Sequence, residues 1–300
     1  MPVQWRVQAQ RRRRSLRVVW CLLAVLLATI TVDTAPVSGA GDLNGPYVAL
    51  GDSYTSGPLV PNPIADAGPC ERSDHDYPAL VAFARRVPAF RDVSCGGAST
   101  DAMWMAQLPG RAPQLDAVGP DARLVTLGIG ANDINLMGIV STCGALGLAD
   151  PLGSPCKNHY TIGGVDQNEV SIRATSAKVA LVLADIHRRA PHARVLVVGY
   201  PDIVPQDGPG CWPHVSIAPG DLPYVRSIEH GLNAMLAGQS ARNGATFVDT
   251  YSPSFGHDVC REAGTRWVEW LVLDSPAAPI HPNALAMVSD ALQVLTALGR

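Results

Sequence analysis

Long apolar runs and charge are both scarce in these 300 residues; Asp, Glu, Lys and Arg together make up only 16%. The one extended apolar stretch, Val18 to Val32, falls short of the roughly 20 residues that a membrane-spanning helix needs, which argues against a stable transmembrane anchor. Neither C-x-x-C nor H-x-H spacing occurs, so no zinc site is expected, and neither a metal nor a cofactor enters the reading. No internal repeat is apparent. Low charge combined with 47% hydrophobic residues describes a globular chain with a sizeable core, not a disordered one. Its length suits one large α/β domain or two small ones.

What is present begins with an address. Arg11 to Arg14 and Arg17 precede the Val18–Val32 run, and the small residues Ser38-Gly39-Ala40 follow it. A basic segment, a short apolar segment and a small-x-small site make residues 1–40 a secretory signal peptide and leave 41–300 as the mature domain. Arg13-Arg14-Ser15-Leu16 also partly fits a twin-arginine signal, so two export routes stay open. The forty residues carry six arginines and one aspartate; removing them takes 23 basic and 26 acidic residues to 17 and 25, a net charge of −8. Such an acidic chain has no electrostatic footprint for nucleic acid. The expected product is secreted, extracellular or wall-associated, and monomeric.

Six cysteines remain after position 40, an even count that suggests three disulfides in an exported protein, although six permit 15 pairings. Sequential pairing (Cys70–Cys95, Cys143–Cys156, Cys211–Cys260) is the economical arrangement, since each bridge then closes a local excursion.

Five short apolar segments read as buried parallel strands: 47–50, 90–94, 123–128, 193–199 and 245–250. Helical patterns lie between them, in "YPALVAFARRV", in "EVSIRATSAKVALVLADIHRRA", in "DLPYVRSIEHGLNAMLAGQSARNG" with Asp221 as N-cap, and in "HPNALAMVSDALQVLTALG" with Pro282 in the first turn. Alternation of this kind predicts one three-layer α/β/α domain on a parallel sheet. Two connections, 134–164 and 202–223, are longer than such a fold needs and read as functional loops. Both leave the C-terminal edge of a strand, where open α/β sheets bind their ligands.

Four short motifs converge on that edge. "GDSYTSG" puts Ser53 just past the first strand; "SCGGAST" brings Gly97 past the second; "GIGAND" brings Asn132 past the third; "IHPN" sets His281 before the last helix. Each alone is ordinary turn or cap chemistry. Together they supply a hydroxyl nucleophile, a base, and donors for a developing oxyanion. Asp52 and Asp133, beside them, are expected to bind nearby turn amides. Trp104, Trp212, Trp267 and Trp270 are candidates for an acyl or sugar platform, with packing expected for at least two.

In order and across nearly the whole mature chain, these blocks resemble the SGNH, or GDSL-type, hydrolase family. The secreted actinobacterial lipases and esterases of that family show a similar serine block, a "C-x-R-S…Y-P" segment (Cys70 to Ser73, Tyr77-Pro78), Cys95 before the glycines, and a "RWV…HPN" ending (Arg266 to Val268, His281 to Asn283). The resemblance implies a flavodoxin-like sheet of order 2-1-3-4-5 and supports sequential disulfide pairing. It also implies a serine esterase or lipase acting on acyl esters, small or lipid, with Ser53 as nucleophile, His281 as base, and Ser53, Gly97 and Asn132 as the oxyanion hole. Absence of G-x-S-x-G argues against the α/β-hydrolase elbow.

One departure stands out. The family usually carries Asp three residues before the histidine, where this chain has Ala278. The His281 ring is expected to be oriented by the carbonyl of Ala278 or Pro279, in a Ser-His dyad, or else by Asp274; the two prolines between Asp274 and His281 favour the carbonyl. Two other activities fit the same residues, a polysaccharide O-acetyl esterase and an acyltransferase. A catalytically silent surface-binding module is the non-enzymatic alternative.

Overall fold

The computed structural model describes residues 44–299, so the proposed signal peptide lies outside the described residues. Five strands form one parallel sheet: β1 (Tyr47–Gly51), β2 (Phe90–Asp92), β3 (Leu124–Gly128), β4 (Arg194–Val198) and β5 (Thr246–Val248), in the order β2-β1-β3-β4-β5. Successive side chains of a strand point to opposite faces, and here both faces are covered. Val48, Leu50, Val125, Leu127, Val195 and Val197 face one cluster; Tyr47, Ala49, Leu124, Leu196 and Val198 face another. The continuous apolar reading of each strand is therefore the sum of two half-patterns.

Among the described residues, seven α-helices accompany the sheet: α1 (Ser53–Ser56), α2 (Tyr77–Arg85), α3 (Leu136–Ala149), α4 (Pro155–Tyr160), α5 (Gln167–Arg189), α6 (Leu222–Arg242) and α7 (Ala284–Leu298). Helices α5 and α6 cover the first face with Val179, Leu183, Ile186, Leu232 and Leu236. Helices α2 and α7 cover the second with Tyr77, Val81, Met287, Ala291 and Val294. The result is the three-layer α/β/α arrangement in the 2-1-3-4-5 order. Among the described residues no helix is long and apolar enough to cross a membrane.

Four local expectations differ from the structure. The 134–164 connection is largely helical, holding α3 and α4. Its apolar residues surround α3 instead of forming a stripe, and its glycines read as loop punctuation when they are contact points. A Cβ on Gly147 would lie 2.2 Å from the Ser216 carbonyl oxygen and 2.6 Å from the Ala218 nitrogen. Thus α3 packs directly onto the backbone of the other long connection. Asp221 stands before α6 but does not cap it; its carboxylate accepts the Cys156 and Lys157 amides at 2.9 and 3.0 Å, at the start of α4. Pro282 lies outside α7, whose N-cap is Asn283, accepting the Leu285 and Ala286 amides. Strand β2 stops at Asp92 because the Asp92 carboxylate accepts the Ser94 amide in a local turn.

The six cysteines form three bridges, Cys70–Cys95, Cys143–Cys156 and Cys211–Cys260. The second joins α3 to α4, and the third ties the 202–223 connection to the segment before α7. Gly147→Ala should destabilise the fold by about 2 kcal/mol or more, the penalty for overpacking against backbone that has no rotamer to yield. Thermal or urea denaturation reads this directly, and an unchanged midpoint would show that α3 has room to shift.

Candidate active site

Ser53 is the first residue of α1, a four-residue helix that doubles straight back from β1. Thr55 makes this reversal possible only over glycine: a Cβ on Gly51 would sit 2.2 Å from Thr55 Oγ1, and one on Gly128 2.5 Å. Asp52 caps the turn, its Oδ1 accepting the Tyr54 amide at 2.9 Å. Ser53 is 8% exposed, and its backbone N–H, at a helix start, has no intrahelical acceptor.

The other three motifs are laced to this turn. The Asp52 amide donates to Gly128 O and the Cys95 amide to Gly51 O, both at 3.0 Å. Gly97 has φ +75°, a left-handed conformation that glycine tolerates without a Cβ penalty. The Asn132 Nδ2 donates to Ala98 O at 2.9 Å. That bond uses one of its two amide hydrogens and orients the other. Asp133 does not bind a nearby turn amide, as its position in "GAND" suggested. It reaches back 33 residues to accept the Thr100 amide and hydroxyl at 2.8 and 2.5 Å, clamping the glycine block to the asparagine block.

His281 arrives from the far end of the chain. Its Nε2 is 2.8 Å from Ser53 Oγ and its Nδ1 is 2.7 Å from Pro279 O. A carbonyl only accepts, so Nδ1 carries the hydrogen and Nε2 is left to accept from the serine hydroxyl. Asp274, the acid closest in sequence, does not reach the ring; it pairs with Arg266. The Ala278 carbonyl is used by the His281 backbone amide at 3.2 Å. Burial lowers the imidazole pKa below its ordinary 6.5, and the Pro279 carbonyl only partly opposes this.

Two tyrosines that sequence reasoning passed over complete the site. Tyr54 Oη donates to Ile280 O at 2.8 Å, and its ring centroid lies 5.1 Å from that of His281. Tyr200 Oη donates to Asp52 Oδ2 at 2.6 Å and accepts the Ala131 amide at 3.1 Å, joining the serine and asparagine blocks. Burial pushes Asp52 up to about 7, against the opposing bonds from Tyr200 and Tyr54. The available signal was placement: Tyr54 adjoins the serine, and Tyr200 lies just past β4 on the same sheet edge. Of the four tryptophans, Trp270 is buried and Trp267 stacks on His257 at 3.8 Å.

The histidine loop is held by a buried ion pair. Arg266 and Glu269 are 1% and 0% exposed and 3.0 Å apart. Asn283 Nδ2 bonds Glu269 Oε1 and Arg266 O, while backbone bonds run from Glu269 N to His281 O and from Ile280 N to Glu269 O. Ile280 takes φ +60°, which a β-branched residue adopts only when its surroundings impose it. Glu269→Gln should destabilise the protein by about 3 kcal/mol or more, because Arg266 keeps a buried charge that the half-exposed Asp274 only partly meets. Asp274→Asn, which removes a partner in contact with solvent, should cost less than about 1 kcal/mol. Equal losses in denaturation would contradict this ranking.

The chain from residue 49 to residue 287 matches the family model of the GDSL-like lipase/acylhydrolase family. It is 40% identical over 281 residues to Lipase 2 of Streptomyces coelicolor, covering 92% of this chain and 93% of that protein. Among solved structures it resembles an extracellular lipase from Streptomyces rimosus, with a TM-score of 0.71 at 29% identity, covering 85% of this chain and 99% of that one. A phospholipase A1 from Streptomyces albidoflavus aligns over the same shares, with a TM-score of 0.66 at 26% identity. With the motifs in order, the fold matched and the family model spanning most of the chain, this protein belongs to the GDSL-like lipase/acylhydrolase family and is a carboxylic ester hydrolase.

Proposed function

We propose that this protein is a secreted serine esterase or lipase in which Ser53 attacks the acyl carbon and His281 is its general base. The observation that carries this is the 2.8 Å approach of Ser53 Oγ to His281 Nε2, in the tautomer that Pro279 O selects. As Oγ bonds to the carbonyl carbon, its proton passes to Nε2. The carbonyl oxygen becomes an oxyanion held by the backbone N–H groups of Ser53 and Gly97 and by Asn132 Nδ2. Collapse breaks the ester bond, and the leaving alcohol takes the proton from Nε2. Water then attacks the acyl-serine with His281 again as base, releasing the carboxylic acid and restoring the hydroxyl.

The imidazolium formed on the way is stabilised by a neutral carbonyl, less strongly than a carboxylate would do it. Such a ring has no need of a raised pKa, which accords with the lowering that burial imposes. Export is supported by the basic and apolar residues 11–32, by three disulfides, and by similarity to a solved lipase described as extracellular.

Hydrolysis of p-nitrophenyl esters from acetate to palmitate tests the reading. Ser53→Ala and His281→Ala should each lower kcat by at least about 10⁴-fold, as expected for members of one catalytic unit. An organophosphonate should label Ser53 alone. Asp274→Asn should change kcat/KM by less than about fivefold, the scale of a solvent-touching ion pair; a loss matching His281→Ala would instead make Asp274 the orienting acid.

The acid limb of kcat/KM reports the free base. The neutral ring is the active form, and its pKa is lowered, so activity should persist on acidification past pH 6.5 before it falls. A limb centred above 6.5 would mean that an unrecognised acid supports His281.

A further inference from the structure

Behind the glycine block lies a cavity of about 290 Å³ that the reaction above does not use. This is near the lower end of the range for small-molecule sites. Its wall includes the Cys70–Cys95 disulfide, and three arginines line it: Arg72, Arg91 and Arg111. On a chain whose mature part carries net −8, such a concentration of positive charge is unusual.

These charges are poorly compensated. Among the described residues, no carboxylate lies within 4.0 Å of any of the three guanidinium groups. Asp116 lines the same cavity but pairs with Arg189 at 3.3 Å. Arg72 has Asp76 and Asp92 in its vicinity, yet burial pushes both of those acids up, toward their neutral forms. Arg72 donates to Ser94 O, and Arg111 to the Asp66 and Ala67 carbonyls. Each guanidinium has five N–H donors, so most remain available, and Arg91 uses none on the protein. Gln107 also lines the cavity; its amide nitrogen, Nε2, donates to Gly96 O at 2.6 Å, while its Oε1 is shut away from solvent.

We infer that this cavity binds a phosphate-type oxyanion, with Arg91, Arg111 and Arg72 on its anionic oxygens. Guanidinium forks match tetrahedral oxyanions in bidentate fashion. A hydrogen phosphate ion meets this description, and so does a phosphodiester headgroup.

The test uses the purified protein and sodium phosphate, at constant ionic strength because exposed charges are screened. Calorimetric titration should show saturable binding. Arg91→Gln, on an exposed edge strand, should weaken it by roughly tenfold or more, the scale of a lost hydrogen bond to a charged group. Arg111→Gln should act in the same direction, and circular dichroism melts without phosphate check that both variants fold. Kinetics then separate the two sources. For a headgroup site, Arg91→Gln raises KM for a short-chain phosphatidylglycerol and leaves KM for p-nitrophenyl butyrate unchanged. For a free-anion site, both KM values stay unchanged while phosphate binding is lost. Absence of saturable phosphate binding, or binding that both variants retain at full strength, would overturn the inference. Binding without any ester hydrolysis would sink the Ser53 assignment and leave this site standing.

Discussion

His281 meets Ser53 across 228 residues of chain because residues 280–283 are fastened to residues 266–269. The fastening is a short antiparallel contact, Val268 opposite Pro282, around the buried pair of Arg266 and Glu269. Two charges removed from water are tolerated only when their remaining hydrogen-bonding capacity is met. Asn283, Asp274 and the Asp274 amide supply much of it. The same contact holds Ile280 at a positive φ and directs two successive carbonyls to different tasks, Pro279 O to the imidazole and Ile280 O to Tyr54. The strained Ile280 is therefore supported on both sides: by the ion pair and by a tyrosine from the serine's own helix.

Under the proposed mechanism, that arrangement lets the chain do without an acid at position 278. The carboxylate's usual work has two parts, fixing the tautomer and stabilising the imidazolium. A carbonyl does the first fully and the second only in part. The nearby acid, Asp274, is committed to Arg266, where it helps to hold the loop. Elsewhere on the edge, Asp52 sits out of water between a backbone amide and the Tyr200 hydroxyl. With Tyr200 reaching Ala131 and Asp133 reaching Thr100, the motifs are tied to each other as well as to the sheet.

Much of this was legible in the chain itself. Apolar runs of strand length, separated by helical periodicity, determine an α/β layer structure, because period 2 and period 3.6 are local properties of the backbone. Motifs placed just past strand ends determine that a hydroxyl, a glycine turn, an amide and an imidazole share one edge of the sheet. Helix α3 was not legible: an all-round apolar segment with Gly144 and Gly147 lacks a helical stripe, and the close contact that needs Gly147, with the backbone of residues 216–218, exists only in the folded chain. Asp221 shows the same limit, since whether a carboxylate caps its own helix or a neighbour's depends on which amides folding brings close.

By itself, then, the sequence determined the layers, the strand order implied by its resemblance, and the four blocks at the sheet edge. Only the tertiary structure decided which atom orients His281, which side chains knit the blocks together, and where three arginines without a carboxylate partner share one cavity. The physical reason is one of range. Backbone periodicity is written over a few residues, whereas a polar group's partner is chosen by burial and by distances across turns that bring together residues such as Asp52 and Tyr200, 148 positions apart.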